Sequence, residues 1–167
     1  MNTPRGIRNN NPLNIRHAAD RWQGASEIQH DKSFVQFERM AYGYRAAWKV
    51  LQTYYRHFCT KHEAFSVENI IQRWAPPSEN DTGAYLRRVL LLTGLGGRER
   101  LLPPENPKGY RRLLLLLQAM TCVECGLSMQ EVDTDALHEG YCLAFPKRIA
   151  ELEQILEAQD EEGNPYI

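Results

Sequence analysis

The sequence predicts an α+β domain, mostly α, in which a helical body carries a small antiparallel β-lobe near its N-terminus. Three observations support this. Apolar residues alternate with polar ones before residue 38 and recur at three- and four-residue spacing from Ala41 onward, the two periods of strand and helix. Leu113 to Met120 is apolar nearly all round, which marks a central, most buried helix. At 167 residues, with 43% apolar content, the chain is long enough for one sizeable core, so a single domain over 1–167 is expected.

The opening stretch, Arg5 to Arg16, holds four asparagines and three arginines and few apolar side chains. Asparagine tolerates the left-handed region and hydrogen-bonds its own backbone, so the run is turn-forming. Asn11-Pro12 biases Asn11 toward extended backbone. Leu13-Asn14-Ile15 alternates as a short strand does, Trp22-Gln23-Gly24 follows a polar turn, and Ser33 to Phe37 is aromatic and β-branched. Residues 13–38 are therefore expected to form two or three antiparallel strands.

Helices follow over about 41–158. Tyr44, Ala47, Trp48, Leu51, Tyr54, Tyr55 and Phe58 share one face of a helix reaching about Cys59. Ser66 is an N-cap candidate for a helix carrying Val67, Ile70, Ile71 and Trp74, which Pro76-Pro77 ends. Asp81 or Thr82 caps the next, running to Gly94. Asn106-Pro107 opens the long central helix, proline being acceptable at a first helical position. Ser128 to Leu143 reads as one helix with an acidic start. Pro146 begins the last, and the acidic tail from Asp160 is expected to fray.

A formal net charge of −1 implies no global pull toward nucleic acid or membrane, and neither is expected as a partner. Residues 1–15 contain no apolar core of a signal peptide, so a cytoplasmic or virion-associated location in a bacterial host is expected. Reduced thiols are then the better reading for Cys59, Cys122, Cys125 and Cys142. Cys122, Cys125, His138 and Cys142 have zinc-like spacing. Small thiols three apart on a leucine-rich helix more often simply pack, so no metal or other cofactor is assigned.

Arg73 to Tyr85 is the second dense polar cluster, stiffened by two prolines. Aromatic faces beside amides and carboxylates suit a carbohydrate. The plainer alternative is a helix–helix turn in which Asp81 caps free N–H groups and Arg73 pairs with Glu79.

Taken in order, the Arg5–Arg16 run, Trp-x-Gly, Phe-x-x-Phe, a Gly-Tyr-Arg-Ala helix and Ile70 to Thr82 with a following Tyr resemble small phage- or prophage-encoded virion structural proteins of Bacteroides-type gut bacteria and their phages. That set in turn resembles the lysozyme superfamily. Asn11–Ile15, Trp22–Gly24 and Phe34–Glu38 are similar to the β-lobe of peptidoglycan glucosaminidases. Gly43–Tyr54, Ile70–Pro76 and Tyr85–Val89 are similar to the helical half of lytic transglycosylases.

The resemblance implies a lysozyme-like domain acting on peptidoglycan glycan strands, as a hydrolase or lytic transglycosylase. The alternative is a non-catalytic glycan-binding or virion structural module using the same cleft, with virion components as further partners. It implies substrate contacts from Asn11, Asn14, Arg16, Trp22, Tyr44, Arg73, Trp74, Asn80, Thr82 and Tyr85. The superfamily's general acid is a glutamate ending a long helix ahead of the β-lobe, whereas here the twelve residues before Leu13 hold no Glu or Asp. Glu38, ending the aromatic stretch beside Phe37, is the first candidate for the missing acid, because apolar neighbours disfavour its charged form. Glu79 is the second.

Overall fold

The computed structural model describes residues 2–161, which form seven α-helices: α1 (Arg5–Arg8), α2 (Met40–Thr60), α3 (Val67–Trp74), α4 (Thr82–Thr93), α5 (Tyr110–Cys125), α6 (Thr134–Ala144) and α7 (Ile149–Glu161). Short 3-10 turns at Pro107–Gly109, Met129–Glu131 and Pro146–Arg148 lead into α5, α6 and α7. The helix start signals act as read. Ser66 Oγ accepts from the Asn69 N–H, Asp81 Oδ1 from Ala84 N–H, and Pro107 opens the turn before α5. Ser128–Leu143, expected as one helix, is interrupted. Ser128 and Glu131 close a capping box over the first turn, and Asp133 then caps Ala136 N–H as a second start. α7 continues through Asp160 and Glu161, where fraying was expected; the rest of that tail lies outside the described residues.

Leu113, Leu116, Leu117, Ala119 and Met120 make α5 the buried axis. α2 packs mainly on α6, and α4 on α5. Where α2 crosses α6, a Cβ on Gly140 would lie 2.7 Å from Tyr44 Cβ and 3.0 Å from the Ala41 carbonyl, so only glycine lets the helices approach this closely. Trp48, fully buried, stacks on Tyr110 at 6.0 Å and meets Tyr141 edge-on at 5.1 Å. Its indole N–H donates to the Leu137 carbonyl at 3.1 Å.

The expected lysozyme-like domain with an N-terminal antiparallel β-lobe does not form. Among the described residues, extended chain pairs only at isolated antiparallel bridges: Arg16 with Phe34, Ala25 with Phe37, and Ser66 with Arg100. The side-chain amides are the cause. Asn14, central to the expected Leu13–Ile15 strand, is left-handed with φ 53°, which ends any ladder there. Asn11, 0% exposed, takes the ladder's place: its Oδ1 accepts from Ile15 N–H at 2.8 Å, and its Nδ2 donates to the Ile15 and Val35 carbonyls at 2.9 and 2.8 Å. Gln29 and Gln36 act likewise in the next loop: Gln36 N–H donates to Gln29 Oε1, and His30 N–H to Gln36 Oε1. Beside isolated backbone bonds such as Val35 N–H to the Ile15 carbonyl, several backbone groups that a sheet would pair are satisfied by side chains instead.

This irregular segment is tied down at both ends. Asp31 accepts from Arg5 Nε and Nη2 at 2.7 and 2.6 Å and from Asn9 Nδ2 at 2.8 Å. The Arg5 guanidinium holds the Asp31 carboxyl far below the usual carboxylate range, helped by Asn9 and by the Phe34 and Ser33 N–H groups against the opposing effect of burial. On the other side, a Cβ on Gly43 of α2 would fall 2.1 Å from the Asn10 carbonyl oxygen. The asparagine run therefore rests directly on the α2 backbone.

Candidate functional site around Glu124

The segment so placed brings Asn14 against the C-terminal end of α5. Asn14 Nδ2 donates to Glu124 Oε2 at 2.8 Å, and the Tyr85 hydroxyl of α4 donates to Glu124 Oε1 at 3.1 Å. Trp74, closing α3, also faces this carboxyl. Three helices and the asparagine segment thus meet on one acidic group. Burial raises the Glu124 pKa, while Asn14, Tyr85 and Trp74 pull it back toward the ionised form. Burial beside Glu124 also holds the Tyr85 phenol well above its ordinary value, so it stays a neutral donor. Cys125, next along the helix, is pushed up to about 11 by burial and by Glu124, and its thiol donates to the Pro12 carbonyl at 3.2 Å. Two residues beyond Asn14, Arg16 Nη2 meets Glu79 Oε2 at 3.0 Å, linking the segment to the α3–α4 connection.

The Arg5–Arg16 run and the Arg73–Tyr85 loop therefore touch, although not every residue assigned to substrate contact lies there. Asn14, Trp74 and Tyr85 surround Glu124; Arg16 and Glu79 pair beside them, both exposed. Asn11 spends its whole amide on backbone groups and is part of the frame. Tyr44 is in the core, its hydroxyl 3.2 Å from Thr121 Oγ1. Thr82 is buried and donates to the Ala75 carbonyl at 2.5 Å, fixing the loop rather than lining it. Arg73 lies 5.0 Å over the Tyr54 ring, not on Glu79, and Asn80 is exposed. Trp22 lines a different hollow, with His17, Asp20, Arg21, Glu27 and Gln29. Glu38 is exposed, its backbone N–H bonded to the Gly24 carbonyl.

The four zinc-spaced residues are spread over three environments. Cys122 faces Met129 Sδ at 3.6 Å, Cys125 faces Pro12, and Cys142 lies 3.7 Å from His138 Nε2. His138 Nδ1 is 2.6 Å from the Tyr110 hydroxyl. Among the described residues, no three metal-ligating side chains converge. All four cysteines are free.

Glu124 is the residue that sequence reasoning missed. A signal was there: from Leu113 to Cys125 it is the one charged residue in a helix otherwise apolar or neutral. A lone acid on a buried helix needs partners, which makes it a candidate for function.

No family model matches the chain. Over 100 residues it is 41% identical to Protein P5 of Pseudoalteromonas phage PM2, a match covering 58% of this chain and 60% of that protein. The chain is similar to a bacteriophage protein. The match takes in less than two thirds of the phage protein's length, and that protein's name states no activity. Among the described residues, no helix is long and apolar enough to cross a membrane.

Proposed function

We propose that the chain acts on the glycan strands of bacterial peptidoglycan, with Glu124 as the general acid. One observation carries this reading: a half-buried carboxyl of raised pKa, gripped by Asn14 and Tyr85 where the asparagine segment meets the α3–α4 connection. A carboxyl whose charged form burial disfavours donates its proton to a leaving glycosidic oxygen as the oxocarbenium-like centre forms. Trp74 supplies an aromatic face, and Arg16 and Asn80 supply polar groups for sugar hydroxyls. Similarity to a phage protein adds support, since phages must pass the bacterial wall.

A second reading is a wall-glycan-binding or virion structural module. It is favoured by both Glu124 oxygens already accepting hydrogen bonds. Turbidity loss of purified cell walls separates the two. Cleavage predicts clearing by the wild type and at least about a hundredfold slower clearing by Glu124→Gln, the scale of losing one general acid. Equal rates for the two proteins overturn the assignment of Glu124. Retention on walls without clearing by either leaves the binding module.

A further inference from the structure

Asn14 Oδ1 is buried and has no hydrogen-bond partner. It belongs to the same amide whose Nδ2 donates to Glu124 Oε2. An ionised carboxylate only accepts, which fixes the amide with its nitrogen toward Glu124. With Tyr85 donating to the other oxygen, the arrangement is that of the ionised carboxylate.

Protonation makes it untenable. A hydrogen on Oε2 would face the Asn14 N–H groups, donor against donor. A hydrogen on Oε1 would require the Tyr85 hydroxyl to reverse, leaving that hydroxyl's own hydrogen unpaired while Asn14 Oδ1 stays orphaned. Turning the Asn14 amide half a turn about χ2 costs less. Oδ1 then accepts from the Glu124 O–H, Tyr85 keeps its bond, and one polar atom is unpaired as before. The other groups facing Glu124 cannot substitute: Trp74 offers only a donor, and the Cys125 thiol is committed to Pro12. Arg16 is held by Glu79.

We infer that Asn14 is a positioning residue whose side-chain amide turns over with the proton on Glu124, so that Asn14 keeps a hydrogen bond to both its acid and its base form. The inference concerns the site of the proposed function and rests on that reading only for its catalytic consequence. A group that gives up a proton and regains it each cycle needs both states hydrogen-bonded.

NMR of the full chain tests it without substrate. The Glu124 carboxyl carbon and the Asn14 side-chain amide are followed against pH, in the wild type and in Asn14→Gly. Glycine keeps the left-handed backbone at no cost. The expected result is that both wild-type signals move with one midpoint and that the Glu124 midpoint in Asn14→Gly shifts by less than about half a unit. A fixed amide serves only the charged form, and its removal would raise the midpoint by about one unit or more. Such a rise overturns the inference, as does an Asn14 amide that ignores the titration. If Asn14→Gly does not fold, the wild-type Asn14 side-chain N–H shift decides: turning predicts that it loses its hydrogen-bonded downfield position when Glu124 is protonated, and retention of that position at low pH overturns the inference. Wall clearing is a separate readout, so either result can fail without the other.

Discussion

The Asn14 side chain reaches Glu124 across 110 positions of sequence, and this hydrogen bond joins the asparagine segment to the buried end of α5. The same asparagine breaks the strand expected at Leu13–Ile15, so the residue that abolishes the sheet also completes the candidate site.

If Glu124 is the acid, the carboxylates first suggested by sequence are dispensable. Glu38→Gln and Glu79→Gln are expected to clear purified walls within about twofold of the wild type, since both side chains are exposed and Glu79 engages only Arg16. Initial rates of turbidity loss check this. A large loss in either variant moves the acid away from Glu124.

Glu124 also makes stability depend on pH. Its folded pKa lies above the unfolded value of about 4.3, so its favourable contribution is fully present below that value and lost as pH rises through the raised one. Glu124→Gln removes the buried charge. The variant should melt at a higher temperature than the wild type at neutral pH, with the gap closing toward pH 4. Melting curves across pH 4–8 provide the test; a variant less stable at pH 7 contradicts the sign.

Asn11 should be among the costliest polar residues to lose. Asn11→Ala strands the Ile15 N–H and the Val35 carbonyl in a buried setting, while the Ile15 carbonyl keeps its bond from the Val35 N–H. At about 1–3 kcal/mol for each unsatisfied group, a total of about 2–5 kcal/mol is expected from urea midpoints. A loss below about 1 kcal/mol would mean the segment is not held by this amide.

Gly43→Ala tests the seat of the asparagine run on α2. Alanine is favoured over glycine within a helix by about 1 kcal/mol. Here its Cβ would collide with the backbone carbonyl of Asn10 at 2.1 Å, which no side-chain rotation relieves. Net destabilisation of about 1–3 kcal/mol is expected from the same unfolding measurement. Stabilisation would place the segment elsewhere.

Tyr141→Phe has the opposite sign. The Tyr141 ring is fully buried against Trp48, Tyr110 and Phe145, but its hydroxyl has no partner. Removing an unsatisfied buried hydroxyl while keeping the ring should stabilise by about 1 kcal/mol. A clear loss of stability would reveal a partner for that oxygen.

The helices were legible because their signals are local. Ser66, Asp81 and Asn106-Pro107 act within three residues of themselves, and the stripe from Tyr44 to Phe58 needs only its own spacing. Ser128–Leu143 was misread for the same reason: two start signals five residues apart compete, and the backbone obeys both. The β-lobe was misread because alternation shows which residues are buried and not what satisfies the backbone. Leu13, Ile15, Val35 and Phe37 are all buried as that pattern requires, yet Asn11 and the glutamines take the hydrogen bonds that strands would have shared.

The sequence by itself determined a mostly helical chain, the ends of most helices, the buried α5 axis and the two dense polar stretches. Only the tertiary structure decided that these stretches meet and that the Glu124 carboxyl lies between them. Burial and hydrogen-bond partners change what a carboxyl can do, and those of Glu124 come from Asn14, Trp74 and Tyr85 on three separate stretches of chain. No local pattern records which distant side chains will surround a charge.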